Sequence, residues 1–187
     1  MKLNLGCGHN RLEGHVNVDR FSQCAPDLVC DLESFPWPWL DASVERVVFH
    51  HSLEHLGETT SVFLGLMKEL HRVCRDGAEI VIDVPHPRHD DFLNDPTHVR
   101  VITPQLLMLF DRRLNDEWQA MGAANSPLAH YLDVDFAIAD YDVVLNEPYA
   151  TQYADGLLSA EDIAAMTREL NNVVRAYRIR MTARKSR

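Results

Sequence analysis

Six titratable side chains crowd one stretch of the chain, PHPRHDDFLNDPTHVR (Pro85 to Arg100): His86, His89, Asp90, Asp91, Asp95 and His98. Histidine titrates near neutrality, at about 6.5 when unperturbed, so such a stretch is suited to taking and returning protons. The same residue types ligate metals. His86 and His89, with two acidic residues and His98, could hold zinc or a harder ion that polarises a hydroxyl or forms a hydrolytic centre. The spacing does not favour this, since neither HExxH nor a comparable ligand pair on a helix face is present. A second histidine group, HHSLEHL (His50 to Leu56), lies upstream. From the two groups the candidate general bases are His98, His51 and His86. They have structural alternatives: Asp-Pro-Thr-His (Asp95 to His98) also reads as a turn in which Asp95 caps a backbone donor and His98 bonds to backbone.

Strands must position these groups. Val47 to Phe49 and Ile80 to Val84 are short, continuous apolar runs, the pattern of strands buried on both faces. His50 and His51 close the first run, and Pro85 and Pro87 end the second. Between them Val62, Phe63, Leu66, Met67, Leu70, Val73 and Cys74 recur at helical spacing, and Asp76-Gly77 supplies the stop. Further upstream LNLGCG (Leu3 to Gly8) carries an apolar strand into paired glycines, and VNVD ends a second strand on Asp19. Strands alternating with helices predict a doubly wound, mostly parallel α/β sheet whose ligands sit outside the carboxyl ends of the strands. A glycine turn followed by an acid closing the next strand is the layout of a nucleoside site, in which glycines admit close backbone approach and Asp19 can accept both ribose hydroxyls. A pyrophosphate fingerprint would want a third glycine where Arg11 stands, and a P-loop a Gly-Lys-Ser/Thr ending that is absent, so a cofactor without phosphate fits better. A tight turn and a strand-end cap are the structural alternative.

Three landmarks occur in series: LNLGCG with Asp19, DLVCDLE (Asp27 to Glu33), and VERVVFHHSLEHL (Val44 to Leu56). On them the chain resembles the class I S-adenosylmethionine-dependent methyltransferases, in the small type 11 branch. The likeness is close over the first half and holds for the rest by order of elements. It implies a Rossmann-like sheet of seven strands with the last two antiparallel at its edge, S-adenosyl-L-methionine as cofactor, and methyl transfer as the reaction. It further implies cofactor contacts from Gly6, Cys7 and Gly8 at the methionyl end, Asp19 and Arg20 at the ribose, Asp31 and Leu32 beside the adenine, and His50 at the strand end facing the active site. Within SLEHL it implies a structural hydrogen bond for His55, and Glu54 would orient the loop or reach the cofactor. No metal ligand is expected.

One departure concerns the first crossover. Only eleven positions separate Gly8 from Asp19, where a full crossover helix leaves about twenty. The stretch His9 to Gly14 is therefore expected to be an irregular loop or a single turn, a shortened first crossover without a helix amino terminus beneath the ligand.

A chain of 187 residues, 46% apolar and 25% charged, reads as one globular domain with a substantial core: a cofactor-binding half over 1–84 and a substrate-side half over 85–187. It has neither a membrane-length apolar run nor a charged-then-apolar leader before Leu3. Cys7, Cys24, Cys30 and Cys74 lack zinc-finger or CxxC spacing and read as small apolar residues in a reducing cytoplasm. The net charge of -10 argues against a nucleic acid partner, because phosphate contacts need a basic surface. The last seventeen residues do carry six basic groups (Arg175, Arg178, Arg180, Arg184, Lys185, Arg187) and no acid. Tyr177, Ile179, Met181 and Ala183 alternate with most of them as in a half-exposed strand, a better account than an RNA or lipid tail.

Downstream of the titratable stretch, Thr103-Pro104 starts a short helix with Leu106, Leu107 and Phe110 on its apolar face. Gly122 to Pro127 is a loop. The apolar positions of the next strand switch phase from Val134, Phe136 and Ile138 to Tyr141, Val143 and Leu145, which predicts a bulge near Asp140. Ser159 and Asp162 form a capping box before a helix containing Ile163, Met166 and Leu170. Phe35, Trp37 and Trp39 would form either a wall over the ligand or a turn with its rings packed on the core. The expected enzyme methylates a small acceptor, at oxygen rather than nitrogen, on a sugar or another hydroxylated metabolite. No nucleic acid or membrane partner is expected, and a homodimer is left open. The alternatives are a metal-assisted enzyme using residues 86–98 and a non-catalytic S-adenosylmethionine-binding subunit.

Overall fold

The computed structural model describes residues 1–185, so Arg187 of the basic group lies outside the described residues. Seven strands, β1 (Lys2–Leu5), β2 (Val16–Asp19), β3 (Leu28–Val29), β4 (Val44–His50), β5 (Cys74–Pro85), β6 (Phe136–Leu145) and β7 (Val174–Ala183), form one sheet in the order β3-β2-β1-β4-β5-β7-β6. β1 to β5 are parallel, and β7 runs antiparallel to both β5 and β6. The expected antiparallel edge is thus present, with β7 inserted and β6 outermost.

The helices are α1 (Thr60–Val73), α2 (Asp90–Leu93), α3 (Pro104–Met108), α4 (Arg112–Ala120), α5 (Leu128–Leu132), α6 (Tyr149–Ala154) and α7 (Ala160–Glu169). α1 is capped by Thr59, whose hydroxyl accepts from Val62 N, and buries Phe63, Leu66, Met67, Leu70 and Val73. It ends before the expected Asp76-Gly77 stop. Cys74 is already extended, fully buried and paired with Val44, so the sheet ladder captures the chain three residues early. Three later features follow their local signals. Thr103 caps α3 with Pro104 in its first turn, the β6–β7 pairing shifts register between Ile138 and Asp140, and Ser159 and Asp162 close a capping box on α7. α2, α4, α5 and α6 have no counterpart in the sequence reading.

Cross-strand register defines the buried face. Leu3 pairs with Val47, Val47 with Ile80, and Ile80 with Met181; Phe49, Ile82 and Ile179 form the next row. All seven are fully buried and belong to one core with the α1 residues. The alternate residues on the opposite face are largely polar: Lys2, Arg46, Glu79 and Thr182 in one row, His50, Asp83 and Arg178 in another. The β4 run Val47 to Phe49 is buried throughout, as expected, while the β5 run is buried in alternation, with Val81 only half-buried between Ile80 and Ile82. The first three crossovers contain no α-helix, so the shortening expected of the first extends to the next two. No described helix is long and apolar enough to cross a membrane.

Candidate active site

The carboxyl ends of β1 to β5 bring Gly6–Gly8, Asp19, Asp31, His50–His51 and His86 to one edge of the sheet. Strand order reverses between β1 and β4, the switch point at which open α/β sheets leave a crevice for ligands. Gly6 has φ +69°, and a Cβ there would lie 2.5 Å from the Ser52 Cβ, so this glycine is required by the close approach of the segment after β4. Ser52 Oγ donates to Leu5 O at 2.7 Å and fixes that approach. Gly8, at φ +49°, differs: a Cβ there would meet nothing within 4 Å. Its amide donates to Asp19 Oδ2 at 2.8 Å, while Phe21 N donates to Oδ1 at 2.9 Å. Asp19 is 8% exposed and keeps free lone pairs on both oxygens. Cys7 is buried, and burial raises its thiol pKa. Arg20 points to solvent with its guanidinium 4.6 Å from the Phe21 ring centroid.

The loop that replaces the first crossover helix is held by two buried asparagines absent from the sequence reading. Asn4 Nδ2 donates to Asn17 Oδ1 and to Asn10 O, both at 2.9 Å, and Asn17 Oδ1 also accepts from Leu12 N at 2.7 Å. Asn17 Nδ2 donates onward to Asp27 Oδ2 at 2.8 Å. The signal was available: L-N-L and V-N-V place a polar residue at the alternate position of both strands, where an apolar helix cannot pack.

At the end of β3 the Asp31 carboxylate is exposed and accepts from Glu33 N and Ser34 Oγ. Leu32 departs from the expectation that it flanks a base, because its side chain is buried in the core and its carbonyl accepts from Trp37 Nε1 at 2.9 Å. Trp37 and Trp39 are core residues in edge-to-face contact, so of the two readings of Pro-Trp-Pro-Trp the inward-packed turn holds. Arg72 of α1 donates to both tryptophan carbonyls and pins that turn.

After β4 the two histidines diverge. His50 Nδ1 lies 3.0 Å from Asp83 Oδ2 on the open sheet face, and Arg178 stands 3.6 Å from the other Asp83 oxygen. His51, about half exposed at φ +49°, has Nδ1 3.5 Å from Glu54 Oε1. At that distance the contact is a charge pairing more than a hydrogen bond. The Glu54 carboxylate raises the His51 pKa against the opposing effect of burial. Glu54 is 1% exposed, and neither of its carboxylate oxygens has a hydrogen-bond partner.

The titratable loop divides. His86 is buried against Tyr177; its Nδ1 accepts from Arg88 N, and burial, with help from Arg88 and His89, lowers its pKa to about 4. Such an imidazole is neutral and a weak base at pH 7, which counts against His86 as the general base. His89 caps α2 by accepting from Asp91 N, and Asp91 pairs with Arg175. The metal set weighed from sequence, His86 and His89 with His98, is not assembled among the described residues. His98 lies instead beside the segment after β4, because Val99 N and Arg100 N both donate to Glu54 O at 3.0 Å. The turn reading of Asp95 holds, since its Oδ1 accepts from Thr97 N and Oγ1, and His98 Nδ1 bonds Phe92 O at 2.9 Å. His55 Nδ1 contacts Thr97 Oγ1 at 2.9 Å, the structural bond expected of it. Donor atoms of Glu54, His55 and His98 all lie within 4.8 Å of one another.

Clefts of about 520 and 580 Å³ occur elsewhere, one between α4 and α5 and one beside the carboxyl end of α1. Neither is lined by residues of this edge, and the chemistry-bearing groups outweigh cleft size in locating the site.

No family model matches the chain, and no curated protein matches it by sequence. Solved structures do match across nearly its whole length. A SAM-dependent methyltransferase from Archaeoglobus fulgidus is 18% identical with a TM-score of 0.62, over 98% of this chain and 85% of that one. The [4+2]-cyclase SpnF is 13% identical with a TM-score of 0.53, over 99% and 75%. A 1,6-didemethyltoxoflavin-N1-methyltransferase from Burkholderia thailandensis, solved with 1,6-didemethyltoxoflavin and S-adenosylhomocysteine, is 12% identical with a TM-score of 0.52, over 98% and 71%. The chain therefore has the Rossmann-like methyltransferase fold.

Proposed function

We propose that this chain binds S-adenosyl-L-methionine across the carboxyl ends of β1 to β4 and methylates a hydroxyl of a small polar molecule. The observation that carries the reading is the pairing of Gly8, beside open space, with Asp19, whose oxygens keep lone pairs for ribose hydroxyls. The residues suit a nucleoside without phosphates: Arg11, the cation nearest in sequence to the glycine turn, is engaged by Asp27 and Ala25 O. Gly6, Cys7 and Gly8 would hold the methionyl part, Asp19 the ribose with Arg20 at its outer side, and Asp31 with the Leu32 backbone the adenine. His50 would stand at the end of β4 near the reacting groups.

Bound there, the cofactor supplies a methyl group on a cationic sulfur, open to in-line displacement by an acceptor oxygen. The protein has to align the acceptor, exclude water and remove its proton. His51 is the favoured base, being accessible at the end of β4 and paired with Glu54, which stabilises the imidazolium formed when it takes the proton. His98 has its Nδ1 committed to a backbone carbonyl and only 8% of its side chain exposed, so it is less suited to that task.

A small acceptor is supported by the net charge of -10, which repels polyanions, and by the small molecule named for the Burkholderia neighbour. A sugar hydroxyl, a single domain and a cytoplasmic setting belong to the same proposal. One observation favours a second reading, a metal-assisted enzyme: Glu54 is buried without a hydrogen-bond partner beside two histidines.

The test is calorimetric titration with S-adenosylmethionine and S-adenosylhomocysteine, against NAD and ATP, followed by a screen of hydroxylated acceptors for methyl incorporation. Selective binding of the first pair with turnover of an acceptor is expected. Absence of binding would overturn the proposal, and binding without turnover would favour the non-catalytic role.

A further inference from the structure

We propose that Glu54, His55 and His98 form a binding site for one divalent transition-metal ion of the zinc class. The inference rests on side-chain geometry; it deepens the metal-assisted reading above and shares Glu54 with the His51 pairing.

The first observation is the carboxylate. Glu54 is 1% exposed, and both its oxygens are shielded from solvent with no hydrogen-bond partner. A buried ionised carboxylate is costly unless a charge or a metal compensates it. His51 Nδ1 stands 3.5 Å from Oε1, and Oε2 has no hydrogen-bond partner at all.

The second observation is the state of the two histidines. His55 Nδ1 is held by the Thr97 hydroxyl and carbonyl, and His98 Nδ1 by the Phe92 carbonyl. A carbonyl can only accept, so each Nδ1 carries the proton and each Nε2 keeps an acceptor lone pair, that of His98 with Asp95 Oδ2 at 3.9 Å. That is how proteins prepare metal-ligating histidines: one ring nitrogen donates to a fixed acceptor, which sets tautomer and orientation for the other. The rings are 4.6 Å apart, and Phe92 stacks on His98 and holds its plane.

The third is their convergence. One donor atom from each of the three residues lies within 4.8 Å of the others, a spread up to about 1.5 Å wider than the roughly 3 to 3.5 Å between ligands about 2.1 Å from zinc. Metal binding would have to draw the three side chains together by that much. The ligands come from two segments forty residues apart, joined where Val99 N and Arg100 N meet the Glu54 carbonyl. Two imidazoles and a carboxylate suit zinc or a neighbouring first-row ion more than calcium or magnesium. Three protein ligands leave a coordination position open, as in catalytic zinc sites.

The experiment uses the full chain, stripped with a chelator and titrated with Zn²⁺ and separately with Co²⁺, without S-adenosylmethionine, so that this proposal and the cofactor reading can fail independently. Expected are one equivalent per chain retained through desalting, visible cobalt bands of a four- or five-coordinate site, and a rise in Tm with metal. His55→Ala and His98→Ala should each weaken binding by more than the roughly 10- to 100-fold typical of losing an outer partner, and should abolish the Tm rise. Glu54→Gln should do the same; should it fail to fold, the histidine variants carry the test. His130→Ala, a histidine paired with Asp116 at the α4–α5 contact, should bind as wild type. Absence of a retained equivalent, or uptake that survives both His55→Ala and His98→Ala, overturns the proposal.

Discussion

The Gly8 amide donates to Asp19 Oδ2 at 2.8 Å, so the end of β2 holds the turn that follows β1. One side chain thereby shapes the loop and remains available to a ligand. Asp19→Ala should weaken S-adenosylmethionine binding by more than about tenfold, in line with roughly 1.5 to 3 kcal/mol for hydrogen bonds to charged groups. Asp19→Asn keeps one acceptor for the turn and should lose less. Calorimetric affinities of the two variants check this, and unchanged affinity in Asp19→Ala would remove the ribose assignment.

The two glycines of the turn should separate by readout. Gly6→Ala forces a Cβ to 2.5 Å from Ser52 Cβ at φ +69° and should destabilise the fold by about 2 to 4 kcal/mol, combining left-handed strain with overpacking. Gly8→Ala meets only the strain, about 1 to 2 kcal/mol, but places a methyl group in the space proposed for the ligand. Urea unfolding with cofactor titration should show the first chiefly in stability and the second chiefly in affinity.

His86 predicts a pH dependence of stability. Its pKa is about 4 when folded, lowered by burial, then by Arg88 and His89, against about 6.5 unfolded. Between those values the unfolded chain binds more protons, so stability rises with pH through the window, is complete above about 6.5, and is lost as pH falls toward 4. The contribution is at most about 3 kcal/mol. His86→Asn should flatten the stability profile over pH 4 to 6.5 in denaturant titrations, and an unchanged slope would contradict the assignment.

Trp37 should behave as a core residue. Trp37→Ala is expected to cost about 3 to 5 kcal/mol. The milder Trp37→Phe should lower Tm, because the Leu32 carbonyl loses the indole donor, while leaving cofactor affinity intact. A large loss of affinity in Trp37→Phe would restore its reading as a wall of the ligand site.

Sequence periodicity was informative where local chemistry decides the structure. Thr103-Pro104, the Ser159–Asp162 box and the phase switch at Asp140 each depend on neighbours in sequence, and each is found where expected. Burial of β5 on the second sheet face was misread because Val81 looks apolar in isolation, while the charges flanking it, Glu79 and Asp83, join Arg46 as one face only through cross-strand register. The end of α1 at Val73 was hidden for a similar reason, since the partner that captures Cys74 is Val44, thirty residues away. In the site, strand-end residues were legible because any parallel sheet gathers them at one edge. The company His98 keeps was not: backbone bonds to the Glu54 carbonyl, invisible in either segment alone, bring it to His55.

The position of β7 bears on how the chain can be made. β5 is complete at Pro85, yet the strand that covers its free edge begins only at Val174, and β6 reaches the sheet solely through that strand. During synthesis the growing polypeptide carries an unpaired, largely apolar edge while nearly ninety further residues are added, a template for misassociation with other nascent chains. A ribosome stalled before Val174 would release a product in which that edge of β5 stays open.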